Sequence, residues 1–240
     1  MSLAHTNITQ VYPYSEWGVS LLLLIDTAIK HAWEELRKNC KVTLSSGKEE
    51  DINEELQLAL QELMGTGDIE GFNHSKLTGV ERGGKYRSFN KKHLGKQPDL
   101  NIKMINCTPG LVNSIYNGIF IECKIIEPNK SPLLYIENGV RRYVDGEYAW
   151  AMCHTFMIAY VRNGKKVPKA LQDTIKRNSK KKVIMRCSPL GNEYKVWPDT
   201  NNPKTYQTLH CRSWSHPEHG APGNIEISHI WLDCPNVNVT

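Results

Sequence analysis

Two short stretches place ionisable side chains where apolar ones would be expected. "GIFIECKII" (118–126) is a run of good strand formers interrupted by Glu122 and Lys124. Side chains alternate along a strand, so these two point to one side with Phe120 and Ile126. Ile119, Ile121, Cys123 and Ile125 point to the other. "PDLNI" puts Asp99 at the start of a second strand-like run, 98–105. If the two strands are neighbours, Asp99 and Glu122 converge. Two hard carboxylate oxygens together suit Mg²⁺ or Mn²⁺, with the main-chain carbonyl of Cys123 as a further oxygen ligand. Lys124 then orients or deprotonates an attacking water, or stabilises charge on a phosphate. That chemistry is metal-assisted phosphodiester hydrolysis. The plainer alternative is an Asp ahead of a strand and a cross-strand Glu–Lys surface pair. The apolar flanks Phe120 and Ile126 on the same face weigh against it.

The elements that must hold these residues are legible to different degrees. Residues 15–39 form an amphipathic helix with Ser15 as its cap and Leu21, Leu24, Ile25, Ala28, Ile29 and Ala32 as its buried stripe. Ser45, Ser46 and Gly47 break the chain. A second helix follows at 49–64, where Ile52, Leu56, Leu60 and Leu63 repeat at helical spacing before Gly65 and Gly67. Asn106 to Asn117 connects the two strand-like runs. A turn at Asp145–Gly146 leads into an apolar stretch to 161, read as a buried helix. An exposed, charged helix is expected within 162–182, and short strands at 182–187, 205–214 and 225–232. This order predicts an α/β fold with a central mixed β-sheet flanked by helices.

The 240 residues, 40% of them apolar, suffice for one domain spanning 1–240. A net charge of +5 is too mild to name a partner by itself. The cysteine count of seven is odd and contains no C-x-x-C pair, which argues for buried reduced thiols and a cytoplasmic protein. The apolar run "VSLLLLI" (19–25) is much shorter than a membrane span and continues with helical periodicity, so no membrane partner is expected.

Asp99 followed by Glu122-Cys123-Lys124 resembles the PD-(D/E)xK signature of restriction-endonuclease-like nucleases. The resemblance covers a core of roughly 49–161 by element order, leaving an N-terminal helix and a C-terminal α/β extension. Residues 100–121 make a longer gap between the motif halves than the family usually shows. The resemblance implies a restriction-endonuclease-like core and a Mg²⁺- or Mn²⁺-dependent endonuclease acting on DNA in restriction, repair or defence. It implies Asp99, Glu122 and the Cys123 carbonyl as metal ligands and Lys124 as the third catalytic residue. A helix carboxylate completes many such sites; Glu50 or Glu54 ranks ahead of Glu55 for that role. It also allows Tyr148 or His154 to reach the site, and a homodimer or partner protein to supply recognition. The rival is a non-catalytic nucleic-acid-binding or assembly subunit with a decayed site.

The segment before Asp99 fits a nucleic-acid partner. Arg82, Lys85, Arg87, Lys91, Lys92 and Lys96 are available to phosphates, with Tyr86 and Phe89 offered as stacking surfaces. A second basic cluster runs from Arg162 to Lys182. In the C-terminal third, His210 and Arg212 share a strand face suited to phosphate. Cys211, His216 and His219 are the candidates for zinc, although their spacing matches no familiar structural zinc pattern.

Overall fold

The computed structural model describes residues 17–92, 94–105, 114–164, 173–174, 195–196 and 205–235. Three helices come first: α1 (Val19–Asn39), α2 (Lys41–Ser46) and α3 (Glu49–Thr66). In α1, Leu22, Ile25, Ala28, Ile29, Ala32, Trp33 and Leu36 recur at three- and four-residue steps and are buried, as one-sided packing requires. Its N-cap is Gly18; Ser15, the expected cap, lies outside the described residues. In α3 the buried stripe includes a polar member, Asn53, and the helix stops at Gly67, whose φ of 74° is left-handed.

Six strands form one mixed sheet in the order β1-β2-β3-β6-β5-β4. They are β1 (Leu100–Lys103), β2 (Gly118–Ile126), β3 (His154–Val161), β4 (Lys195–Val196), β5 (Thr205–Cys211) and β6 (Asn224–Asp233). β2, β3 and β6 run parallel, and β1 and β5 join them antiparallel. Helices cover both faces of this α/β fold. On one, Trp33 of α1 stacks on Tyr160, and the Tyr160 hydroxyl donates to Asn53 of α3 at 2.8 Å. On the other lies a helical rod made of α4 (Pro132–Tyr135), a π-helical turn (Ile136–Val140) and α5 (Arg141–Val144). The Ser131 hydroxyl starts the rod by accepting the N–H of Leu133.

The expected helix over 146–161 is corrected by this arrangement. The helical crossover comes earlier, over Pro132–Val144, and His154–Val161 is strand β3. β3 lies between parallel neighbours and is buried on both faces, so its sequence from Phe156 to Val161 is apolar without alternation. A strand in that position loses the period-two signal that would distinguish it from a buried helix.

The strand expected at 182–187 lies outside the described residues, as does the charged stretch 162–182 apart from Arg162, Asn163, Gly164, Asp173 and Thr174. Arg162 is not a surface cation: it is buried and donates to the carbonyls of Leu44 and Gly47, fixing the connection that leads into α3. Among the described residues no helix is long and apolar enough to cross a membrane.

Candidate active site

The site forms where β1 stops short of β2. Leu100, the first residue of β1, faces Ile121, so β2 continues beyond it without a paired strand on that side among the described residues. Its edge N–H groups still need acceptors. Asp99 Oδ2 accepts from the Cys123 N–H at 2.7 Å, and Glu49 Oε2 accepts from the Ile125 N–H at 3.0 Å. Two carboxylates therefore stand where a neighbouring strand's carbonyls would be.

Lys124 gathers these groups. Its Nζ is 2.7 Å from Glu49 Oε1, 2.9 Å from Glu122 Oε1 and 3.5 Å from Asp99 Oδ2, and it donates to the Cys123 carbonyl at 2.5 Å. Burial works against the ammonium, but Glu122, Asp99 and Glu49 outweigh it and raise the pKa of Lys124. With these three carboxylates around it the ammonium form of Lys124 is favoured. Asp99, Glu122 and the Cys123 carbonyl thus come together around Lys124.

Glu122 is fully buried, with both oxygens engaged. Oε1 accepts from Arg142 at 2.7 Å in addition to Lys124, and Oε2 accepts from the Tyr148 hydroxyl. Burial and the adjacent Asp99 push its carboxyl up to about 7, against the opposing pull of Lys124, Arg142 and Tyr148. Arg142, by contrast, keeps 35% of its side chain open to solvent.

The helix carboxylate at the site is Glu49, not Glu50 or Glu54. Glu50 is exposed and offers its main-chain carbonyl to Arg82; Glu54 pairs with Arg82 at 3.3 Å; Glu55 accepts from the Cys40 thiol. Helical phase explains the difference. Glu49 precedes Ile52 by three and Asn53 by four, so it extends the buried stripe of α3 toward the sheet. Tyr148 reaches the site, whereas His154 pairs with Glu226 at 3.2 Å. Arg142 was missed because the sequence carries no sign of the π turn that precedes it.

Residues 86–92 and 94–96 belong to a loop closed by pairing of Tyr86 with Lys96. It is tied beside the site through Trp150 Nε1, which donates to the Arg87 carbonyl, and through the Phe89 N–H, which donates to Gly146. Lys85, Arg87 and Lys92 are exposed. Arg82, Lys91 and Lys96 instead hold Glu54, Glu218 and Glu147. Tyr86 is buried edge-on against Phe120, and Phe89 stacks on Trp214. These rings anchor the loop, which corrects the stacking role expected of them.

The histidine-rich C-terminal region has structural uses as well. Arg212 is buried and donates to the carbonyls of Gly223, Trp150, Pro222 and Asn224; His210 is buried beside Thr208. Neither presents a phosphate-binding face. No group of three or more His, Cys, Asp or Glu among the described residues stands assembled around an ion position. At the carboxylate cluster, the common point is taken by the Lys124 ammonium. Comparison with protein-family models, with curated proteins and with solved structures gave no match.

Proposed function

We propose that this chain is a metal-dependent nuclease of the PD-(D/E)xK type, hydrolysing phosphodiester bonds of DNA. The observation that carries the reading is the convergence of Glu49, Asp99, Glu122 and the Cys123 carbonyl on a single cation, the Lys124 ammonium. The donor set is all oxygen, which fits Mg²⁺ or Mn²⁺. These four groups would hold the ion, which when bound activates water and neutralises charge on a phosphate. Charge balance supports the fit. With Glu122 ionised, the form a cation beside it favours, three carboxylates against Lys124 and Arg142 leave one net negative charge, and a divalent ion would leave one net positive charge, matching one phosphodiester.

The chain's own residues have distinct tasks in this reading. Asp99 and Glu49 are fixed by the β2 edge, Glu122 is fixed by Tyr148, and Lys124 stays charged to orient water or stabilise the phosphate. Lys85, Arg87 and Lys92 would bind the substrate backbone. The succession α3, β1, β2, helical crossover, β3 agrees with a restriction-endonuclease-like core.

The test is cleavage of supercoiled plasmid, linear DNA and single-stranded RNA with Mg²⁺, Mn²⁺ or EDTA, by wild type, Glu122→Gln and Lys124→Ala. Metal-dependent cutting lost in both folded variants is the expected result. Undiminished cutting in both would refute the assignment. One observation favours a second reading, a nucleic-acid-binding subunit without catalysis. Both oxygens of Glu122 are already satisfied within the protein. Equal binding without cutting in all three proteins would select that alternative.

A further inference from the structure

We infer that Arg142 is the residue by which this site grips the scissile phosphodiester. The inference rests on the nuclease reading above and starts from the π turn in the crossover rod. The turn seats Gly139 against β2 and β3, where a Cβ at that position would lie 3.7 Å from Glu122 Cγ. π turns are rare and concentrate at functional sites. Just beyond it, two consecutive arginines part company. Arg141 turns outward to Asp145 at 2.7 Å, whereas Arg142 lies over Glu122.

Glu122 Oε1 accepts from both Arg142 and Lys124, so two cations meet at one carboxylate oxygen. Like charges that close repel unless anions stand between them. While the carboxylates are uncommitted, Glu49, Asp99 and Glu122 supply those anions. An ion bound by the same carboxylates would draw them away and leave Lys124 and Arg142 with surplus positive charge facing outward. Lys124 is the more enclosed of the two, and Arg142 is the more open.

Arg142 is also free to move without losing Glu122. Tyr148 holds Oε2 of that carboxylate, the oxygen that Arg142 does not contact. The guanidinium fork has more N–H groups than its contacts with Glu122 and Tyr148 use, and its planar geometry matches two phosphate oxygens at once. Lysine, a point charge, lacks that match.

The experiment measures binding of a fluorescein-labelled, phosphorothioate-substituted DNA oligonucleotide, which resists hydrolysis. Anisotropy is followed across a salt series, in Mg²⁺ and in EDTA. The proteins are wild type, Arg142→Ala, Arg142→Lys and the neighbouring charge control Arg141→Ala. Arg142→Ala should weaken binding in Mg²⁺ by about tenfold and flatten the salt dependence by about one counterion. Arg141→Ala should change neither. Arg142→Lys keeps the charge and should keep the salt slope while losing several-fold in affinity; it also serves if the alanine variant does not fold. Wild-type affinity and slope in folded Arg142→Ala, or wild-type affinity in Arg142→Lys, would overturn the inference. So would absence of binding by the wild type. If binding depends on Arg142 but wild type cuts no unmodified DNA in Mg²⁺, the nuclease reading fails and Arg142 remains a phosphate contact.

Discussion

Glu49 holds strand β2 with both carboxylate oxygens: Oε1 lies 2.7 Å from Lys124 Nζ and Oε2 accepts the Ile125 N–H at 3.0 Å. The first residue of a helix is thereby fixed to the exposed edge of a strand. Glu49→Gln keeps the shape but loses the anion, and should lower metal-dependent cutting by about 10–100-fold. Glu50→Gln, one residue away on the exposed side, should leave it unchanged. Rates measured against Mg²⁺ concentration decide the matter. Equal effects at the two positions would remove Glu49 from the site.

Gly139 brings the crossover rod close against the sheet. A Cβ there would collide with Met157 Cε and sit 3.1 Å from its Sδ. Gly139→Ala should therefore destabilise the fold by about 1–3 kcal/mol. Met157→Leu removes the terminal methyl that is struck, so the double variant should regain part of the loss. Urea unfolding of both singles and the double gives the coupling. Strict additivity would show that the clash is relieved elsewhere.

A buried polar chain links Tyr135, His229, Thr208 and His210, with Tyr135 2.9 Å from His229 Nδ1 and Thr208 2.7 Å from His229 Nε2. Burial pulls His229 down to about 3, helped by His210, which burial itself lowers to about 4. An unfolded histidine titrates near 6.5. Below that pH the unfolded chain takes up protons that the folded one refuses. Stability present above 6.5 is therefore lost as pH falls toward the folded values, by roughly 1.4 kcal/mol per pH unit for each histidine. His229→Gln removes one share. Its stability deficit relative to wild type should narrow by about 1 kcal/mol between pH 6.5 and 5.5. A constant deficit across that range would contradict the assignment.

Arg212 has no carboxylate partner among the described residues; it is buried among four main-chain carbonyls, and burial lowers its pKa to about 10. Replacing it with Met strands those acceptors and should cost at least about 3 kcal/mol. Urea unfolding measures it. DNA binding should not change in the folded variant, which separates this arginine from Arg142.

The sequence exposed some of this architecture and hid the rest for identifiable reasons. Ile52, Leu56, Leu60 and Leu63 declare α3 because one of its faces meets solvent. Glu122 and Lys124 stand out because charge interrupts an apolar strand. β3 has no solvent face, so its residues carry no period, and it was read as helix. Glu49 was within reach through its three- and four-residue spacing to Ile52 and Asn53, but its position at the head of α3 suggests only helix-end charge. Tyr86 and Phe89 look available beside so many lysines and arginines; what they pack against is Phe120 and Trp214, far away in sequence. Arg142 owes its position to a widened helical turn that leaves no compositional mark.

The sheet order has a consequence for how the protein is made. β6, the last described strand in the sequence, lies next to β3 near the sheet's centre, and its Asp233 carbonyl accepts from Trp33 of the first helix. Parallel pairing between such distant segments is slow to nucleate. During synthesis, Glu49, Asp99, Glu122 and Arg142 all emerge while β3 still lacks its inner neighbour. A chain halted before Asn224 would carry every charged residue of the site on a sheet with a bare hydrophobic edge, prone to stick before the fold is complete.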